Sequence, residues 1–212
     1  MRAQKLALTA GRRALLWRMC WLGSALLPIV ASLPASGASD LVFRGRVEAA
    51  NITQHQFRLQ DSHGKWRTLA EFRGRVVLMF FGYTQCPDVC PTELSRLARL
   101  MAALGTDAAK VQVLFVTLDP ARDTAEVLQA YTGIFNPDFL GLRTDVAGTE
   151  AAARDFRVYF EKAPGRTPDS YTVDHSTFIY GFDTQGKLRV RLTPMMSGED
   201  LLADVRALIS AP

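Results

Sequence analysis

The sequence predicts an α/β domain with a central mixed sheet flanked by helices. Three observations carry that expectation: two continuous apolar runs, Val76 to Phe81 and Val111 to Leu118; helically patterned segments after each; and an Asp183-Thr-Gln-Gly186 turn between two later apolar stretches. A strand that is apolar at every position must be covered on both faces, and helices between strands supply the cover.

Taken in order, Leu41 to Val47 and Phe57 to Leu59 read as short strands. Asp61-Ser-His-Gly64 turns the chain into Lys65 to Leu69, which gives an N-terminal hairpin extension ahead of the main sheet. Val76 to Phe81 follows, then a helix over Thr92 to Leu104 with Leu94, Leu97, Leu100, Met101 and Leu104 on one stripe. Val111 to Leu118 ends at Asp119-Pro120; Thr124 to Tyr131 and Thr149 to Phe156 are helical in pattern. Thr177 to Phe182 and Leu188 to Leu192 flank the turn as a hairpin. Ser197, followed by Glu199 and Asp200, opens a closing helix with acidic residues at its positive end.

At 212 residues, the chain suffices for one full-sized domain after a leader. Residues 1–38 read as that leader, a signal peptide or an N-terminal membrane anchor, and residues 39–212 as the folded domain. Arg2, Lys5, Arg12, Arg13 and Arg18 precede or enter an apolar run, Met19 to Val30, and Ser36-Gly37-Ala38 resembles a cleavage signal. The run is shorter than the roughly 20 residues a spanning helix wants. The whole chain has 25 basic and 21 acidic residues; the leader holds 5 and 0, leaving 20 against 21, a net −1. The basic balance belongs to the leader, and nothing points to nucleic acid. Cys20 also falls in the leader, so the domain keeps only Cys86 and Cys90. An exported domain with one close cysteine pair has no disulfide framework, which makes the pair chemical rather than structural.

That pair stands in Phe80-Phe-Gly-Tyr-Thr-Gln-Cys86-Pro-Asp-Val-Cys90-Pro91, where a strand ends and a helix begins. A helix N-terminus favours thiolate over thiol, and Pro91 suits a first turn whose N–H has no partner. Thiolates are nucleophiles and soft metal ligands, so the residues alone leave redox chemistry and metal capture open. Three residues separate the cysteines, against two in thioredoxin-type pairs. In a helical turn, positions i and i+4 point the same way, so both sulfurs can converge on one ion. Asp119 shares the carboxyl-end rim of the sheet if its strand neighbours Val76 to Phe81.

With those residues in place, the chain resembles the Sco/SenC family of thioredoxin-like copper proteins. The matching blocks are Phe81 to Pro91, Thr117-Leu-Asp119-Pro-Ala-Arg122-Asp123-Thr124, and Tyr171-Thr-Val-Asp174-His175-Ser176, in that order over roughly residues 41–208. The resemblance implies a thioredoxin-like fold and an exported, periplasm-facing monomer, soluble or membrane-tethered. It implies a metallochaperone that carries copper, as Cu(I) or Cu(II), to the dinuclear copper centre of cytochrome c oxidase or to another periplasmic acceptor. Its implied ligands are Cys86, Cys90 and His175. Gln85 departs from the family, where many relatives have histidine.

Two thiolates and an imidazole form a soft, low-coordinate set suited to copper, with zinc as the chemical rival. The Asp88, Asp119 and Asp174 carboxylates are candidates for supporting the site. Asp174 would orient His175 only if the backbone is irregular there, because strand neighbours face opposite ways. His55, His63, Met195 and Met196 are read as solvated or packing residues. A reading from another class is a thiol–disulfide oxidoreductase using Cys86 and Cys90 as its redox pair; a third is a copper-sensing module.

Overall fold

The computed structural model describes residues 42–47, 57–165, 167 and 170–211. The leader, Cys20 and His55 lie outside the described residues, as does Leu41.

Ten strands are described: β1 (Arg46–Val47), β2 (Arg58–Asp61), β3 (Trp66–Thr68), β4 (Val76–Gly82), β5 (Val111–Thr117), β6 (Leu140–Arg143), β7 (Phe160–Pro164), β8 (Tyr171–His175), β9 (Ile179–Phe182) and β10 (Leu188–Leu192). Four α-helices join them: α1 (Val89–Leu104), α2 (Ala125–Phe135), α3 (Val146–Asp155) and α4 (Gly198–Ser210). Eight strands form one mixed sheet in the order β1-β10-β9-β4-β5-β6-β2-β3, while β7 and β8 form a separate two-stranded sheet. Strands β4 and β5 run parallel with Gly82 opposite Thr117; β9 runs antiparallel to β4. Every residue of β4 and β5 is buried, as unbroken apolar runs require of central strands covered on both faces.

Ser197 opens α4 as expected, and Thr124 and Asp145 act in the same way at α2 and α3. Thr124, Asp145 and Ser197 each accept a backbone N–H in the first turn of the helix they open. Helix α1 packs against α4 and α2, and α4 also reaches β4 and β9. Its buried stripe includes Leu94, Leu97, Leu100, Met101 and Leu104. The β2–β3 hairpin extends the sheet beside β6, while β1 closes the opposite edge on β10.

Three strands were not expected from the sequence. Strand β6 is short and carries Gly141, whose bare Cα lets Leu128 of α2 approach; a Cβ there would lie 2.9 Å from the Leu128 Cβ. Strands β7 and β8 are mostly exposed or half-buried and so lack an apolar alternation. Helix α1 begins at Val89, earlier than the apolar stripe indicates. Among the described residues no helix is long and apolar enough to cross a membrane.

Candidate metal centre

The site lies where the parallel strands β4 and β5 release their carboxyl ends. Strand β4 ends at Gly82, a loop follows, and α1 starts at Val89. Cys90 is thus the second residue of α1 and is fully buried, while Cys86 stays in the loop and is half-buried. Both are free thiols. The expectation that they share a helical turn needs correction. Cys86 precedes the helix, and a backbone bond closes the gap instead: the Cys90 N–H donates to the Cys86 sulfur at 3.5 Å. That donor is one of the N–H groups a helix start leaves unpaired.

Gly82 makes room for this arrangement. A Cβ at that position would meet Cys90 Sγ at 2.7 Å and the Phe115 ring at 2.9 Å. Only a residue without a side chain lets the buried sulfur lie against the end of β4.

His175 is the last residue of β8, whereas the sequence places it ahead of a strand; both descriptions hold, because β9 begins four residues later. Its Nε2 lies 3.5 Å from Cys90 Sγ, and its Nδ1 lies 2.8 Å from the Ser176 carbonyl oxygen. A carbonyl only accepts, so Nδ1 donates to it, and Nε2 is the ring nitrogen that faces the sulfurs. Edge-on contacts from Phe80 and Tyr83, at centroid distances of 6.1 and 6.0 Å, hold the ring in place. One ligand atom each from Cys86, Cys90 and His175 falls within a 4.8 Å cluster. A donor set of two sulfurs and an imidazole nitrogen fits a soft, low-coordinate cation.

The two thiols are unlike. Cys86 is lowered to about 3, first by the Cys90 side chain, against a burial penalty, then by His175 and the backbone N–H groups of Asp88 and Cys90. Cys90 is pushed upward by the same pairing with Cys86 and by its burial. The half-buried sulfur therefore takes the charge more readily than the fully buried one.

The three supporting carboxylates divide. Asp88 is exposed at the N-cap of α1, and its side chain makes no capping bond. Asp174 is exposed, and the Ser176 carbonyl occupies the His175 Nδ1 position that Asp174 was a candidate for. Asp119 is buried on the rim, but it faces Arg122 and the Tyr171 hydroxyl, which donates to both of its oxygens at 2.9 Å. His63 is exposed in the β2–β3 turn, and Met195 is exposed as well.

Sequence reasoning overlooked Asp123. It is fully buried and accepts from the Thr84 N–H at 3.1 Å and from the Thr84 and Thr117 hydroxyls at 2.6 Å each. It therefore ties the cysteine loop to the end of β5. The available signal was an acidic residue directly after a strand-end Asp-Pro turn, which reads equally as a capping group.

A mixed sheet with a cysteine pair at a strand-to-helix junction, plus an imidazole brought in by a separate hairpin, defines a thioredoxin-like domain carrying a Cys–Cys–His cluster. The chain belongs to the SCO1/SenC family, whose model matches residues 46–210. It is 37% identical over 164 residues to the mitochondrial SCO2 homolog of Mus musculus, covering 76% of this chain and 64% of that protein. The chain thus spans a little under two thirds of that relative's length. The structure of Bradyrhizobium japonicum ScoI with copper bound matches with a TM-score of 0.65 at 38% identity, over 71% of this chain and 96% of that one. Yeast Sco1 with copper bound matches with a TM-score of 0.65 at 33% identity, over 71% and 84%.

Proposed function

We propose that this chain is a copper metallochaperone that binds one copper ion through Cys86, Cys90 and His175 and delivers it to the dinuclear copper centre of cytochrome c oxidase. The observation that carries this reading is His175 Nε2 held 3.5 Å from Cys90 Sγ within the 4.8 Å cluster of two sulfurs and one imidazole. The copper-bound structures of similar proteins support the choice of metal.

Each residue has a distinct part. Buried Cys90 and the Nδ1-anchored His175 are the fixed side of the cluster. Half-exposed Cys86 is the side an acceptor's thiolate reaches first, so cargo passes by exchanging one sulfur for another. The direction of transfer follows the difference in affinity between the sites. Holding copper requires both sulfurs reduced; a Cys86–Cys90 disulfide empties the site and ties delivery to the redox state of the compartment. We place the domain on the periplasmic side as an exported monomer, released or tethered by residues 1–38.

The lowered Cys86 favours a second reading, a thiol–disulfide oxidoreductase acting on the acceptor's cysteines. Copper titration of the reduced domain beside His175→Ala separates the two. The chaperone reading expects one tight site in the native chain and its loss in the variant, with dithiol exchange retained. One tight copper surviving in His175→Ala would remove the imidazole from the ligand set; copper no tighter than zinc would remove the choice of metal.

A further inference from the structure

Among the described residues, the hairpin that carries His175 shares no backbone ladder with the large sheet. Two strands alone are marginal in water, so side-chain contacts decide where this hairpin sits relative to the cysteines. Val173 is one anchor, buried under the hairpin. Arg122 is another.

The Arg122 guanidinium touches three segments. Its Nε pairs with buried Asp119 in its own loop. Its Nη1 donates to the Gln85 side-chain oxygen, next to Cys86, at 3.1 Å, and to the Tyr171 carbonyl on β8 at 2.9 Å. The group also stacks on the Tyr171 ring, 3.6 Å from its centroid, and lies 5.7 Å from that of Tyr83. The Tyr171 hydroxyl returns to Asp119 and closes the ring of contacts. We infer that Arg122 is a positioning residue for the metal centre: it clasps the His175 hairpin to the cysteine loop and so sets the distance between imidazole and sulfurs.

The inference rests on the three-ligand reading above and deepens it. A planar fork suits this task, because one group must serve Gln85, Asp119 and Tyr171 at fixed angles while lying flat on an aromatic face. Lysine keeps the charge but supplies neither the fork nor the plane. Arg122→Lys is therefore the informative change, since it leaves buried Asp119 with a cation. Gln85→Ala is a milder companion that removes only the link to the cysteine loop.

The test is hydrogen exchange of the reduced, metal-free protein, read by mass spectrometry over 160–176, beside Cu(I) titration of the same samples. In Arg122→Lys we expect exchange over 160–176 to rise about tenfold and copper affinity to fall about tenfold, the scale of one charge-assisted hydrogen bond. Exchange over β4 and β5 should not change. Gln85→Ala should shift both readouts in the same direction by less. Unchanged exchange in both variants would overturn the clasp. Faster exchange with copper affinity intact would show that the clasp does not position His175, and would equally overturn the inference. Failure of the parent reading looks different: native protein would then bind no tight copper, while hairpin exchange would still respond to Arg122→Lys.

Discussion

Gly82→Ala is the sharpest perturbation of the site, because it adds one methyl group against a ligand without touching any polar atom. The new Cβ would lie 2.7 Å from Cys90 Sγ and 2.9 Å from Phe115 Cε2, both on fully buried side chains. Ordinary carbon contacts sit near 3.5–4.0 Å, so the sulfur or the ring must move by about 1 Å. Overpacking of this kind costs about 1–3 kcal/mol, and the smaller unfolded-state entropy of alanine returns about 0.4–1 kcal/mol. The central expectation is a net loss of ~1–2 kcal/mol, a fall in Tm of about 2–8 °C for a domain of this size. Calorimetry of the reduced, metal-free protein measures it, with copper titration alongside. Affinity should fall, because Cys90 Sγ moves relative to both His175 Nε2 and Cys86. Introducing Cys90→Ala first removes the nearer clash, so Gly82→Ala should cost less in that background. A Gly82→Ala protein that melts and binds copper as the native one does would refute the close-approach argument.

Three further outcomes follow from the same geometry. Cys86, lowered to about 3, stays ionised as pH falls from 8 to 5, so its alkylation by iodoacetamide should change less than about twofold over that range; an ordinary thiol slows ~tenfold per unit, and such a decline would contradict the pairing. Asp123→Ala strands the Thr84 and Thr117 hydroxyls and frees the cysteine loop, and it should cost ~3 kcal/mol in denaturant unfolding; a loss below about 0.5 kcal/mol would remove Asp123 from the loop's support. Asp174→Ala and Asp88→Ala should leave copper affinity within about twofold of native, since both carboxylates are exposed and the Ser176 carbonyl already holds Nδ1; a tenfold loss in either titration would restore that carboxylate to the site.

The parts of the fold legible in the sequence were those written as unbroken apolar runs or as caps. Strands β4 and β5 announce themselves because central strands must be apolar on both sides, and Ser197 because helix starts need an acceptor. The β7–β8 hairpin was not legible. It packs one face sparsely, so Phe160 to His175 shows neither period. For that reason the placement of His175 came from the match of Asp174-His175-Ser176 to the family and not from the pattern of the chain itself. The convergence of the cysteines was anticipated for the wrong reason, since Cys86 is not helical; the bond from the Cys90 N–H achieves it. Asp123, Arg122 and Tyr171 were present in the matched blocks, but their work depends on contacts between segments far apart in sequence, which spacing does not encode.

X-ray absorption at the copper edge of the reduced, Cu(I)-loaded protein tests the ligand assignment most directly. We expect a first shell of two sulfurs and one imidazole nitrogen, with the nitrogen lost in His175→Ala. A shell of sulfur alone in the native protein, or a nitrogen signal that survives that substitution, would contradict it.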